Sequence, residues 1–271
     1  MTEKEWWRST FERQLLEARP EQALRTLVDT QAISVAADRE RAIEAMAKRA
    51  LRYSRKVTPS LVATSDRAVS LLNAAAQQDV SRRGLLKEFA GIGHSHTRLH
   101  VGEPVRLKHT LVLSRGLFGY HANSKRSGAT CIAQGSFGFI EPSTSRRSLL
   151  NRGGLTVRFA LENKTRQVHF TPQRAAASLE LGYACRGHDL PYSKHAHNFA
   201  QVFIERQGNW LQELATVSRA VKRIEAVITR AEYQGLEPQE IRAATPRQQA
   251  SPIRHQPRNT LHRDGQQGFG L

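Results

Sequence analysis

The sequence predicts an α+β protein. An amino-terminal helical domain covers residues 1–92, a basic antiparallel sheet with a long carboxy-terminal helix covers 93–237, and a disordered basic tail runs from 238 to 271. Three observations predict this layout. Apolar residues recur at helical spacing through the first ninety residues, the period changes to two near residue 97, and apolar residues four and three apart run from Trp210 to Ile228.

Trp7, Phe11 and Leu15 form one stripe with charged residues between them, as an amphipathic helix requires. A second helix from about Glu21 carries Leu24, Leu27 and Val28, and a third from about Asp38 carries Ile43, Met46, Ala50 and Tyr53. Thr58 followed by Pro59 reads as the start of a fourth, running towards Ala76. A hydroxyl N-cap there precedes a proline with no hydrogen bond to lose.

Val105, Leu107, His109, Leu111 and Leu113 alternate with Arg106, Lys108, Thr110 and Val112, which predicts one half-buried strand with His109 in the core. Leu155–Leu161 alternates likewise, and after Glu162-Asn163-Lys164-Thr165 the chain resumes with Val168 and Phe170, which predicts a hairpin. Thr130–Ala133, Phe137–Ile140 and Leu179–Cys185 add strands. Asn209 with Gln212 resembles a capping box, and Gly235 is a natural stop. Between them Trp210, Leu214, Val217, Val221, Ile224 and Ile228 make a seam. It predicts a helix lying across the sheet, with self-association or a protein partner through Trp210–Ile228 as the other reading.

The 41 Lys and Arg against 24 Asp and Glu give a formal charge of +17. Residues 1–50 hold nine of each sign, whereas residues 51–200 hold 22 basic and 8 acidic side chains, so 14 of the 17 excess charges sit in the middle stretch. Regional excess of this kind suits phosphate neutralisation and counterion release. The expectation is a nucleic-acid-binding protein, DNA before RNA, such as a regulatory or mobile-element accessory factor. The alternative is a generically arginine-rich composition. No run approaches the ~20 apolar residues of a membrane span. The start, MTEKEWWRS, lacks an apolar signal region, so a cytoplasmic protein without membrane partners is expected. Cys131 and Cys185 cannot make a disulfide framework and fit a reducing compartment. The absence of a Walker or Rossmann glycine-rich loop argues against an ATPase or dinucleotide enzyme, and no cofactor is expected.

Residues 71–90, LLNAAAQQDVSRRGLLKEFA, resemble the helix-turn-helix segment of DNA-binding regulators. Ala75 matches the tight helix crossing, Val80 and Leu85 the core, and Ser81 the N-cap of the second helix. Asp79 stands where that family has Gly, and an ordinary helical hairpin is the competing reading. The resemblance implies that Arg82, Arg83 and Lys87 reach a groove. Arg106, Lys108, Lys125, Arg126, Arg146, Arg147 and Arg152 would form the electrostatic bed.

Enzyme readings rest on two further patterns. Glu162 and Lys164, with Glu141 upstream, are similar to the E-x-K pattern of restriction-type metal-dependent nucleases, in which carboxylates hold the ion and lysine steadies the phosphorane. The same residues suit a hairpin turn. GYHANSKRSGATCIAQG (119–135) followed by PSTS (142–145) loosely resembles the nicotinamide-binding strand of ADP-ribosyltransferases. That resemblance implies Arg115 or His121, Ser143, Ser145 and Glu180 as site residues. His94, His96 and His100, and His195 with His197, lack the cysteine or carboxylate spacing of a zinc site, so no metal is expected. Cys131 is expected as a core thiol rather than a nucleophile.

Overall fold

Amphipathic spacing makes the amino-terminal helices as expected. The computed structural model describes residues 3–52, 60–116, 119–122, 130–142, 154–161, 164–190 and 199–234. Helix α1 (Glu3–Leu16) buries Phe11 and Leu15, and α2 (Pro20–Asp29) opens on proline and buries Ala23, Leu24 and Leu27. In α3 (Arg39–Arg52) the Arg41 amide donates to Asp38 Oδ1 at 2.8 Å. In α4 (Asp66–Arg82) Ser65 Oγ accepts from the Ala68 amide at 3.1 Å. Thr58 and Pro59, the expected start of that helix, lie outside the described residues; the cap falls on Ser65.

Two short strands interrupt the helices, β1 (Ile33–Ala36) and β2 (Ser60–Ala63). They pair with β13 (Ala184–Arg186), β14 (Ala200–Ile204) and β15 (Ile224–Thr229) in an all-parallel sheet ordered β1-β15-β14-β2-β13. This sheet draws strands from both sides of the expected boundary at residue 92. The reading of the first ninety residues as purely helical is therefore corrected. Strands of four residues are too short to set a period, and in β2 Leu61, Val62 and Ala63 are all buried, so no alternation shows there. One face carries α1, α2 and a later helix, α6 (Trp210–Ala220), over a core of Phe11, Leu27, Val62, Val202, Leu214 and Ile228. The other face carries α3 and α4 over Met46, Leu61, Leu72 and Phe203.

The long carboxy-terminal helix is also corrected. Helix α6 ends at Ala220, Val221 is extended, and β15 follows, with α7 (Arg230–Gln234) after it. Ile224, Ala226 and Ile228 are buried in alternation, the signature of a strand. Residues four apart share a face in a strand as well as in a helix, so the seam could not separate the two. All six seam side chains are buried inside this chain, which leaves no seam for self-association.

Between α4 and β13 the chain builds a two-stranded hairpin and a curled sheet. The hairpin is β3 (Phe89–Ile92) with β4 (Arg98–His100). The larger sheet contains β5 (Pro104–Leu107), β6 (Leu111–Gly116), β7 (Gly119–Ala122), β8 (Thr130–Ile132), β9 (Phe137–Glu141), β10 (Leu155–Leu161), β11 (Lys164–Phe170) and, after α5 (Pro172–Ser178), β12 (Leu179–Leu181). Its order is β12-β5-β9-β10-β11-β7-β6-β8, antiparallel except for β11 with β7. The expected hairpin is present, from Leu155 opposite Phe170 to Leu161 opposite Lys164.

Consecutive strands β5 and β6 stand second and seventh in that order. In a flat sheet they would be about 24 Å apart, yet residues 108–110 can bridge only about 14 Å. The sheet must curl into an open barrel, and Gly135 N to Leu107 O at 2.8 Å and Gln134 N to Thr110 Oγ1 at 3.2 Å cross the closing gap. Leu99, Val105, Leu113, Ile140, Phe159, Val168 and Phe170 fill the interior. Gly138 faces inward because a Cβ there would stand 2.6 Å from Val157 Cγ1.

The curl breaks the expected strand Val105–Leu113 into β5 and β6, and His109 at the bend is exposed rather than in the core. Leu179–Cys185 is likewise two strands, one in each sheet. Cys131 is exposed, because Ile132 beside it takes the inward place on β8. The mixture of helices with parallel and antiparallel sheets agrees with the α+β expectation. The tail from 238 to 271 lies outside the described residues. Among the described residues, no helix is long and apolar enough to cross a membrane.

Candidate nucleic-acid interface

The expected second helix of a helix-turn-helix does not form. Helix α4 continues through Ser81 and Arg82, and Gly84 at φ +66° ends it. The Leu85 amide returns to Val80 O at 3.0 Å and the Gly84 amide to Ser81 O at 2.9 Å, the paired bonds of a glycine C-cap. Arg-Gly at 83–84 carried that stop signal. Arg82 and Arg83 close α4 and Lys87 lies on the approach to β3, each turned to a different neighbour: Glu44, Asp79 and Gly102.

The β3–β4 hairpin turns Leu99 into the barrel core and a different set of side chains outward. Phe89, 51% exposed, lies opposite His100, and Ile92 opposite Arg98. The Arg98 guanidinium carbon stands 5.4 Å from the Phe89 ring centroid, and the His100 ring meets Phe89 edge-on at 6.1 Å. Exposed Lys87 lays its stem beside Gly102. At the hairpin tip, Ser95 and His96 both hold left-handed backbone conformations. Lys108 Nζ lies 2.6 Å from His94 Nε2 behind that tip.

Glu103, 3% exposed, anchors the platform to α4. Its carboxylate accepts from the His100 amide at 2.7 Å, from Gln77 Nε2 at 3.0 and 3.1 Å, and from Tyr183 Oη at 3.0 Å. Gln77 also donates to Arg98 O at 2.7 Å. Burial and the Glu103 charge push the Tyr183 hydroxyl well above its ordinary pKa, so it stays a donor.

Several expected site residues are placed elsewhere. Arg106 is buried on the barrel's outer wall, donating Nε to Glu180 at 2.8 Å and pairing with Asp189, which follows β13. Burial alone would lower its pKa, but Glu180 and Asp189 more than offset this and raise it. It ties the barrel to the parallel sheet and is not available to phosphate. Lys108 is half-buried against His94. Arg83 pairs with Asp79 at 2.6 Å, and Arg82 reaches Glu44 at 3.8 Å. Lys125, Arg126, Arg146, Arg147 and Arg152 lie outside the described residues.

The two enzyme constellations are not assembled. Glu141 stands opposite Thr156, while Lys164 stands opposite Leu161 at the other end of β10. Five residues of strand separate them by about 17 Å, too far for the lysine to steady a phosphorane at an ion held by Glu141. Glu162 lies outside the described residues. His121 on β7 sits between Ser114 and His169, five strands along the order from Glu180, which is held by Arg106. Ser143, Ser145, His195 and His197 lie outside the described residues. Among the described residues, no group of three His, Cys, Asp or Glu could hold a metal.

The parallel sheet adds a feature the sequence did not disclose. Strand connections diverge between β2 and β14, where open α/β sheets take ligands beyond their carboxyl ends. Buried Glu205 sits there, its carboxylate 2.6 Å from Arg39 Nη2 and accepting from the Ser65 hydroxyl. Thr64 Oγ1 donates to Glu205 O at 2.9 Å. A cavity of about 450 Å³ beside it is lined by Asp38, Arg39, Glu205, Arg206, Thr229 and Glu232. With Arg39 neutralised by a carboxylate already in place, this edge is poorly disposed to phosphate.

No family model matches the chain, and no curated protein matches it. Among solved structures, a Pif1 helicase from Candida albicans is similar over 69% of this chain and 52% of that chain, with TM-score 0.34 and 12% identity. A Pif1 helicase from Bacteroides, in complex with ADP-AlF3 and ssDNA, is similar over 84% of this chain and 51% of that chain, with TM-score 0.41 and 13% identity. The chain spans about half the length of these structures, and at such values neither likeness assigns an activity.

Proposed function

We propose that the chain binds nucleic acid through unpaired bases, DNA before RNA, on the outer face of the β3–β4 hairpin. The observation that carries this reading is the half-exposed Phe89 ring beneath the Arg98 guanidinium, flanked by Lys87, within the stretch that holds the positive excess. An exposed aromatic offers a face to any base, and such stacking contributes about 1–3 kcal/mol per base. Bases inside a duplex are already stacked, so single strands are favoured. Lys87 and Arg98 supply the phosphate contacts, and the duplex-groove reading loses the helix it required.

Fluorescence anisotropy with labelled single-stranded DNA, duplex DNA and RNA, each at about 50 and 200 mM salt, tests this. Two phosphate contacts on a single strand correspond to a slope of log affinity against log salt of about −1.4. Phe89→Ala is expected to weaken single-strand binding about tenfold. Equal affinity for duplex and single strand, with Phe89→Ala unchanged, would remove the proposal.

A further inference from the structure

We infer that the outer wall of the barrel carries a second base-stacking position at Phe139, so that a strand held at the hairpin continues past Lys87 onto β9 and β10. The inference rests on the hairpin reading above and names the extent of that site. Phe139 alternates with inward-facing Gly138 and Ile140 and is 50% exposed. Its register partners are Arg158 on β10 and Pro104 on β5. Directly opposed residues share a face, so the ring, the guanidinium and the pyrrolidine form one patch.

The patch has defined limits. Two residues back along β9, Phe137 packs against the core of the parallel sheet, and Arg106 opposite it is sealed by Asp189. The open wall therefore begins at Phe139, two residues beyond that junction on the same face of the strand. Arg158 Nε is 3.0 Å from Glu141 Oε1, and Gln167 donates to Glu141 Oε2 at 2.6 Å. With a carboxylate beside the guanidinium, this position suits the stacking of a base and not the gripping of a phosphate.

Continuity with the hairpin follows from the backbone. Phe89 lies opposite His100, residues 100–103 make a tight turn closed by Glu103 N to His100 O at 3.1 Å, and Pro104 lies opposite Phe139. The Gly102 amide donates to Ile140 O at 2.8 Å, and the Lys87 stem covers Gly102 between the two aromatics. Two cross-strand steps of about 5 Å, a turn of at most about 7 Å and one Cα step of about 3.8 Å place the two backbones no more than about 21 Å apart. A strand of roughly four nucleotides or more reaches both, the low end of small single-strand sites.

The test is a length series of labelled oligodeoxynucleotides from roughly two to twelve nucleotides, titrated into the full chain and its Phe89→Ala and Phe139→Ala variants. Both side chains are exposed, and thermal melting checks that the variants fold. Phe139→Ala should match the unaltered chain on the shortest oligonucleotide and bind the longest about tenfold more weakly, with its salt slope unchanged. Phe89→Ala should lose affinity at every length. Loss in Phe89→Ala with none in Phe139→Ala overturns the second position and leaves the hairpin reading standing, whereas no loss in either removes both. Unchanged binding by Phe139→Ala together with loss of self-association would also overturn it, because a second copy would then cover the patch.

Discussion

Replacing Glu103 should both destabilise the fold and loosen the platform. In the native chain its carboxylate takes the His100 amide at 2.7 Å, Gln77 Nε2 at 3.0 and 3.1 Å, and the Tyr183 hydroxyl at 3.0 Å. Glu103→Ala leaves the first and last of these donors with no protein acceptor, each at a cost of about 1–3 kcal/mol. Gln77 keeps Arg98 O at 2.7 Å and loses less. His100 and Tyr183 are only partly buried, so water relieves some of this, and about 3 kcal/mol in total is expected. That is a large share of the roughly 5–15 kcal/mol by which domains are stable. Glu103→Gln retains one acceptor oxygen and should lose about half as much. Urea denaturation reads the stability, and single-strand titration at a concentration where each variant is folded reads the platform. Phe89 loses its fixed orientation when the His100 amide comes free and Gln77 is held by Arg98 O alone, so affinity should fall several-fold in Glu103→Ala and less in Glu103→Gln. Unfolding free energies of all three chains within about 0.5 kcal/mol would show that the donors find other partners, and the anchoring argument would be wrong.

Arg106→Met should cost about 3 kcal/mol, because it leaves Glu180 and Asp189 facing each other without the guanidinium. Among folded molecules, oligonucleotide affinity should not change, and a drop there would return Arg106 to the binding surface. Stability should also fall in alkali. Burial pushes the Cys185 thiol up to about 12, and burial with Glu103 raises Tyr183, so the folded chain keeps two protons that the unfolded chain releases. The thiol contribution is complete below its unfolded value of 9.0 and is lost as pH climbs towards about 12, while the Tyr183 contribution begins to be lost only above its unfolded value of 10.0. Urea midpoints at about pH 7.5, 9 and 10.5 should decline in that order; flat midpoints would deny that burial. Titration with a thiol reagent should find Cys131 reactive in the folded chain and Cys185 only after unfolding.

Legibility in the sequence followed the strength of each periodic signal. The hairpin Leu155–Phe170 is readable because Leu155–Leu161 alternates over seven residues and Val168 and Phe170 resume the alternation after a polar turn. The parallel sheet is not, since β1, β2 and β13 are three or four residues long, too short for a period to show. Ile224 and Ile228 misled because a spacing of four is common to both periods. At the site, Arg82, Arg83 and Lys87 were found through a resemblance whose second helix is absent, and the residues that give the surface its chemistry, Phe89 and Arg98, were missed. They lie in a four-residue and a three-residue strand, and only the register Phe89 opposite His100 brings them together. The bed of basic residues failed at Arg106 for a related reason. Alternation correctly placed it outside the barrel, but that wall is covered by the chain after β13, which no local pattern announces.

The fate of Arg106 does not weaken the charge argument; it sharpens it. Ion pairing inside the stretch does not change its charge sum: four arginines, Arg106 with Glu180 and Asp189, Arg83 with Asp79, Arg158 with Glu141 and Arg186 with Asp66, engage its carboxylates. The middle stretch has only eight acids, and these pairs engage five of them. The 14 excess cations therefore have no acids within their own stretch left to meet. Apart from contacts with acids of the near-neutral flanking stretches, such as Arg82 with Glu44 and Arg186 with Glu213, they remain solvated or face an external polyanion, and solvation alone leaves unexplained why an aromatic ring stands exposed beneath one of them. Phe89 under Arg98 is the point where the surplus charge and the surplus apolar surface coincide, and a polymer with both phosphates and unpaired bases satisfies both at once.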